Sequence, residues 1–249
     1  MIRPHRLAIA LAALTFASPV LAQDGAATGD PHRALAVALT SDEFIERSYE
    51  QAIVMGFEGA LRGAPEMAAI EAECPGILGA MTAAAEPIMR PAYRRDFAAY
   101  RDRLTGLFRG ELSPAQAREG ADFFASPLGR RFLLSLAANL SAEAQLGAIV
   151  SSGGTAITSE ALDADNLRSA RDGLSALEPL DRREVERTLT SAGWAREFVR
   201  LQPMIARYQL DMANSAYLPE EDAAMDAALE AAAETHLTAC YADNRGNVP

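Results

Sequence analysis

The chain has 249 residues, 49% apolar and 23% charged, a composition that belongs to folded globular proteins and not to disordered or fibrous ones. All 23 basic residues are arginine, which excludes Schiff-base chemistry, pyridoxal cofactors and Ser–Lys nucleophile pairs. The 34 acidic residues bring the formal charge to −11, which argues against nucleic acid as a partner because phosphate backbones require net positive surface.

Arg3, His5 and Arg6 form a basic head, Leu7 to Ala17 is an apolar run, and Pro19-Val20-Leu21-Ala22 follows with small or aliphatic residues. Residues 1–22 therefore read as a secretory signal peptide cut between Ala22 and Gln23. The apolar run is shorter than the roughly 20 residues a spanning helix needs, and no cysteine stands at the cut for lipid attachment. The expectation is a periplasmic protein with no transmembrane segment after cleavage and a mature charge of −13.

A polar lead, 23–30, precedes a short helix opening at Pro31. Thr40 with Glu43 has capping-box spacing, and Phe44, Ile45, Tyr49, Ala52, Ile53, Phe57, Ala60 and Leu61 recur at three and four residues, predicting an amphipathic helix to about Gly63. Pro65 opens the next helix, which carries Met67, Ile70 and Cys74, and Pro75-Gly76 interrupts it. Pro87 and Pro91 bracket a restart running to Phe108, with Tyr93, Phe97, Tyr100, Leu104, Leu107 and Phe108 inward and arginines on the other side. Ser113-Pro114 with Gln116 is a compact helix start, and Ser126-Pro127 restarts or kinks the chain before Leu128, Phe132, Leu133 and Leu136.

Gly153-Gly154 marks a loop over 151–158. A helix follows from Ser159 to about Leu177. Asp181 with Glu184 then caps one long helix carrying Leu189, Trp194, Phe198, Leu201, Ile205 and Tyr208, with Pro203 as its bend. Pro219 starts the final helix, where Glu220, Glu221 and Asp222 suit the first-turn dipole and Met225, Leu229, His236, Leu237 and Cys240 follow.

No mature segment alternates as a strand would. The fold class is all-α, a multi-helix bundle or layered helical domain, with helical halves over 31–150 and 159–243 and a tail over 244–249. The two halves share a weak likeness: Leu112-Ser113, Gln116, Phe123 and Arg130-Arg131-Phe132-Leu133 resemble Leu180-Asp181, Glu184, Leu189 and Arg196-Glu197-Phe198-Val199, displaced by 66 to 68 residues.

Charge is unevenly spread. Between Pro87 and Arg131 nine arginines face five acids, so this stretch is basic within an acidic chain. Two accounts fit: the arginines pair with acids of the same fold, or Arg90, Arg94, Arg95, Arg101, Arg130 and Arg131 form a docking surface for a protein or anionic envelope component. The two cysteines, Cys74 and Cys240, lack Cys-x-x-Cys spacing, and one disulfide between them would tie the last helix to the first half.

Catalytic signatures are sparse. His32 and His236 are the mature histidines, and a disulfide could hold their helices near the same end. The sequence carries no His-Glu-x-x-His, no Gly-x-Ser-x-Gly and no phosphate-binding lysine loop, so no catalytic, cofactor-binding or metal-binding residue is assigned. Asp163 with Asp165, and the Glu220-Glu221-Asp222 group, are the carboxylate sets a hydrolase would draw on.

Tyr93, Phe97, Leu112, Ser113, Gln116, Phe123, Phe124, Ser126, Pro127, Gly129, Arg130 and Phe132 give residues 91–136 a motif that resembles an uncharacterised family of exported bacterial helical proteins, domain of unknown function 2059. Pro114 and the long C-terminal extension depart from that pattern. The resemblance implies an exported helical domain and carries no activity with it. Together these readings give a non-enzymatic periplasmic helical protein binding a protein or envelope component. The alternatives are a self-associating structural envelope protein, as a homo-oligomer, and a carboxylate-dependent hydrolase.

Overall fold

The computed structural model describes residues 29–52, 56, 59, 64–151 and 157–246. These residues fold as an all-helical bundle, with no strand among them. The helices are α1 (Pro31–Leu39), α2 (Asp42–Ala52), α3 (Pro65–Glu73), α4 (Ile77–Glu111), α5 (Pro114–Ala125), α6 (Pro127–Ala138), α7 (Glu143–Ser151), α8 (Ser159–Ser175), α9 (Pro179–Ser191), α10 (Gly193–Ala213) and α11 (Pro219–Gly246). The signal-peptide reading, most of the polar lead and the Gly153-Gly154 loop lie outside the described residues.

Proline opens α1, α3, α5, α6, α9 and α11. The first helical N–H has no intrahelical acceptor, so its loss there costs nothing. Ser113 and Gln116 complete the expected capping box, Ser113 Oγ accepting from the Gln116 N–H and Gln116 Oε1 from the Ser113 N–H. Two other expected boxes are replaced. Thr40 instead closes α1, donating its hydroxyl to the Ala36 carbonyl at 2.7 Å, and Ser41 Oγ accepts from the Phe44 N–H. Asp181 lies inside α9, whose first turn follows Glu178 with no side-chain cap. Asp30, at the end of the polar lead, caps α1 by accepting from the His32 N–H.

α4 is the axis. The restart expected at Pro87 and Pro91 does not occur: one helix of 35 residues runs through both prolines. Each proline frees the carbonyl four residues earlier, at Ala83 and Pro87, and Ala83, Pro87 and Pro91 are all exposed, on the side where solvent can replace the lost donor. The reverse holds in α9–α10, where the expected single long helix breaks at Ala192.

The C-terminal half of α4 supplies Phe97, Tyr100, Leu104, Leu107 and Phe108 to the main core, which α1, α2, α5, α6, α9 and α10 complete. Its N-terminal half supplies Ile77, Leu78, Met81, Ala85 and Met89 to a second core, closed by Tyr49, Met225 and Leu229. Tyr93 packs against both. Cys74 and Cys240 form a disulfide, while Glu221 binds Arg95. These two ties fix α11 antiparallel along α4, its end beside α4's start. The stretch Pro127–Ile149 has the length and mean hydropathy, 1.3, of a membrane-crossing helix. Here it is divided between α6 and α7, and Phe132, Leu133, Leu136, Ala137, Leu140 and Ala142 face the interior.

Candidate functional site

Most of the α4 arginines bind carboxylates of their own chain. Arg90 binds Glu46 and Glu86 and lies 4.4 Å over the Tyr49 ring. Arg94 also reaches Glu46, at 2.6 Å. Arg95 joins Asp96 and Glu221, Arg103 meets Asp211 at 3.0 Å, and Arg109 meets Asp30 at 2.6 Å. Arg101 donates to the Thr40 hydroxyl at 2.8 Å and to the Thr40 carbonyl. Arg131 crosses from α6 to Asp181 of α9 at 2.7 Å. The arginine-rich face is thus a seam: it ties α4 and α6 to the acidic elements around them.

The titration behaviour follows that seam. The Arg109 hydrogen bond holds Asp30 down to about 2, and the Arg95 and Arg131 hydrogen bonds hold Glu221 and Asp181 below the usual carboxylate range. Asp96 shares Arg95 yet moves the other way, because burial outweighs that pairing. Burial likewise raises Glu43, opposed by the charge of Arg130. One oxygen of Glu43 is buried with no hydrogen-bond partner, and Arg130 acts on it by charge without an ion-pair contact among the described residues. Of the six candidate binding arginines, Arg130 stands apart in this respect.

The histidines do not converge. His32 Nε2 is 3.0 Å from the Leu112 carbonyl at the C-terminal end of α4, whereas His236 Nε2 is 3.1 Å from the Pro75 carbonyl just before its start. At 1.5 Å per residue the length of α4 separates them by roughly 50 Å. The expectation that the disulfide could bring them to one end fails because the cysteine bridge and His32 occupy opposite ends of that helix.

The carboxylate sets are also dispersed. Glu221 binds Arg95 and accepts from the Leu218 N–H, so it works as a helix start. Asp163 is exposed while Asp165 is fully buried, the two being two residues apart and so on opposite sides of α8. Asp165 accepts hydrogen bonds from the Ser141 hydroxyl (2.7 Å), the Ala144 N–H (3.2 Å), the Gln145 N–H (2.9 Å) and Gln145 Nε2 (3.3 Å). Its charge sits at the N-terminus of α7, where unpaired N–H groups favour an anion. Among the described residues no group of three or more His, Cys, Asp or Glu could hold a metal ion.

That capping role places polar residues beside Ala161 and Leu162 on the inner face of α8. Asp165, Asn166, Ser169 and Gly173 point inward, Asn166 Nδ2 donates to Gln209 Oε1 at 3.2 Å, and Ser135 donates to the Gly173 carbonyl at 2.7 Å. A Cβ at Gly173 would lie 2.9 Å from Leu136 Cα, so only glycine admits the close approach of α6. Leu167, two residues beyond Asp165 and so on the other side of the helix, lies outside at 74% exposure. It shares an open face of α8 with Ala164, Arg168 and Arg171. Arg168 pairs with Glu143, and Arg171 with Asp172. The sequence signal was present, since Asp165, Ser169 and Gly173 recur at helical spacing, but reading it requires knowing that α7 starts against them.

No family model, no curated protein and no solved structure matches the chain.

Proposed function

We propose that this protein is a non-enzymatic, exported helical protein that binds a protein partner in the periplasm through the outer face of α8. The observation that carries the reading is Leu167, a large apolar side chain 74% exposed on the outer face of α8 beside Arg168 and Arg171. A partner offering an apolar side chain beside carboxylates fits it: Leu167 meets the former, and Arg168 and Arg171 can exchange weak exposed ion pairs for new ones at little cost. The signal-like residues 1–22 and the resemblance over 91–136 support the location. The internal ties of Arg90, Arg94, Arg95, Arg101 and Arg131 make them supports for the fold, and Arg130 is half-buried with its charge acting on Glu43.

Crosslinking in intact cells followed by mass spectrometry tests this directly. A specific partner should be captured by the wild-type chain and lost with Leu167→Glu, while the circular dichroism of the variant stays unchanged. Equal capture by the variant would refute the α8 reading. Amino-terminal sequencing of the exported protein should begin at Gln23; retention of residues 1–22 would refute the location. Self-association is a second reading, favoured by Leu180 at 78% and Val199 at 65% exposure. It requires a dimer mass in solution that Val199→Glu converts to monomer.

A further inference from the structure

The two halves of α11 are held by different forces. Met225 and Leu229 are buried in the second core, but from Glu230 to Ala242 no residue is buried, and Ala233 and Leu237 are only partly covered. What holds that second half is a set of ties to one short loop. Cys240 is bonded to Cys74, His236 Nε2 lies 3.1 Å from the Pro75 carbonyl, and the Tyr241 hydroxyl donates to Glu73 Oε2 at 3.4 Å.

The loop keeps its shape by other means. Glu71 accepts from the Gly76 N–H at 2.9 Å and from the Leu78 N–H at 3.0 Å, and the Cys74 N–H donates to the Ile70 carbonyl at 2.7 Å. Gly76 has φ +95°, a left-handed conformation that glycine adopts without strain. The receiving side is therefore pre-set by local bonds, and the helix is the part free to leave.

We propose that the Cys74–Cys240 disulfide is a redox latch: its reduction by a dithiol releases the second half of α11 from the start of α4 while the main core stays folded. Cys74 is fully buried and Cys240 partly exposed, so the entering thiolate attacks the Cys240 sulfur. A mixed disulfide forms at Cys240, and Cys74 leaves as a thiolate and takes a proton from water. The second thiol of the reductant then displaces Cys240. The protein gains two electrons and two protons, and the dithiol becomes a disulfide. Release removes Ala233 and Leu237 from the edge of the second core, to which Ile77, Leu78 and Met81 belong.

Hydrogen exchange by mass spectrometry on the full mature chain, with and without dithiothreitol, reads this out. Amides of residues 232–246 should exchange about 100-fold faster in the reduced protein, the loss expected when a cross-link of typical strength is removed from a segment with little burial of its own. Residues 97–138 should keep their protection. Cys240→Ser without reductant should reproduce the reduced pattern. Unchanged protection at 232–246 in the reduced chain would overturn the latch. So would loss of protection at 97–138 together with α11, since the bond would then be a staple for the whole fold.

Discussion

Two helix–break–helix units face each other in this protein, α5–α6 and α9–α10. In each, proline opens the first helix and a single extended residue separates it from the second: Ser126 at φ −67°, ψ 158° in one, Ala192 at φ −71°, ψ 137° in the other. The same backbone turn is reached by different means. At Ser126 the determinants are local. The hydroxyl accepts from the Gly129 N–H at 3.0 Å, Pro127 starts the next helix, and a Cβ at Gly129 would lie 2.1 Å from the Phe123 carbonyl oxygen. Ala192 offers no side-chain cap, and Gly193 beside it has open space. That break is imposed from outside: the ring of Trp194, 3% exposed, has its centroid 5.6 Å from that of Phe123 and 5.3 Å from that of Phe124, both on α5. One junction is written in its own residues and the other is set by what its neighbour packs into.

This difference can be broken in order of size. Trp194→Ala should cost roughly 3–5 kcal/mol, because a large buried side chain leaves a cavity at the contact between the two units. Urea unfolding should show the lower midpoint, and a cost below about 1 kcal/mol would remove Trp194 as the determinant of the second break. Gly129→Ala should cost about 2–3 kcal/mol, since the new methyl group meets backbone that a side-chain rotation cannot move. The same change at Gly193 should be neutral or slightly stabilising.

The caps come next. Ser126→Ala should lose about 1 kcal/mol, whereas Ala192→Ser should gain a similar or smaller amount by supplying the cap that junction lacks. Equal responses at the two sites would mean that the junctions are held alike.

The smallest effect concerns the tie between the units, Arg131 with Asp181. Because the folded pKa of Asp181 is lowered, its stabilising contribution is present above the ordinary aspartate value and lost as pH falls through the depressed one. Arg131→Gln should return the Asp181 pKa upward, visible by NMR titration, and remove this part of the acid sensitivity. An Asp181 pKa indifferent to the substitution would show that Arg131 is not its cause.

Legibility followed the same division. The capping box at Ser113, the restart at Ser126-Pro127 and the proline starts of α1, α3 and α11 were readable because the groups involved are three residues apart or closer. The break at Ala192 was not, since Trp194 reads equally well as the middle of a long amphipathic helix. α4 departs in the other direction: Pro87 and Pro91 signal a break locally, yet their exposed side and the packing of Ala85, Met89 and Ala92 let one helix run through both. For the candidate surface, the arginine-rich stretch was visible, but whether its charges met acids of the same chain depended on Glu46, Asp181, Asp211 and Glu221, scattered on four other helices. Leu167 gave no sign of standing outside, because an apolar residue within a helical pattern is ordinarily read as core.

The sequence by itself determined that the chain is all helical, where most of its helices begin, and that two cysteines were available to one another. Those properties depend on spacing and on hydrogen bonds between near neighbours, which are fixed once the order of residues is known. Only the tertiary structure decided that the arginines are ties, that Asp165 serves the start of a different helix, and that α8 turns Leu167 to the outside. Each of these rests on a charge or a ring meeting a partner remote in the chain, and such meetings exist only once the helices have packed.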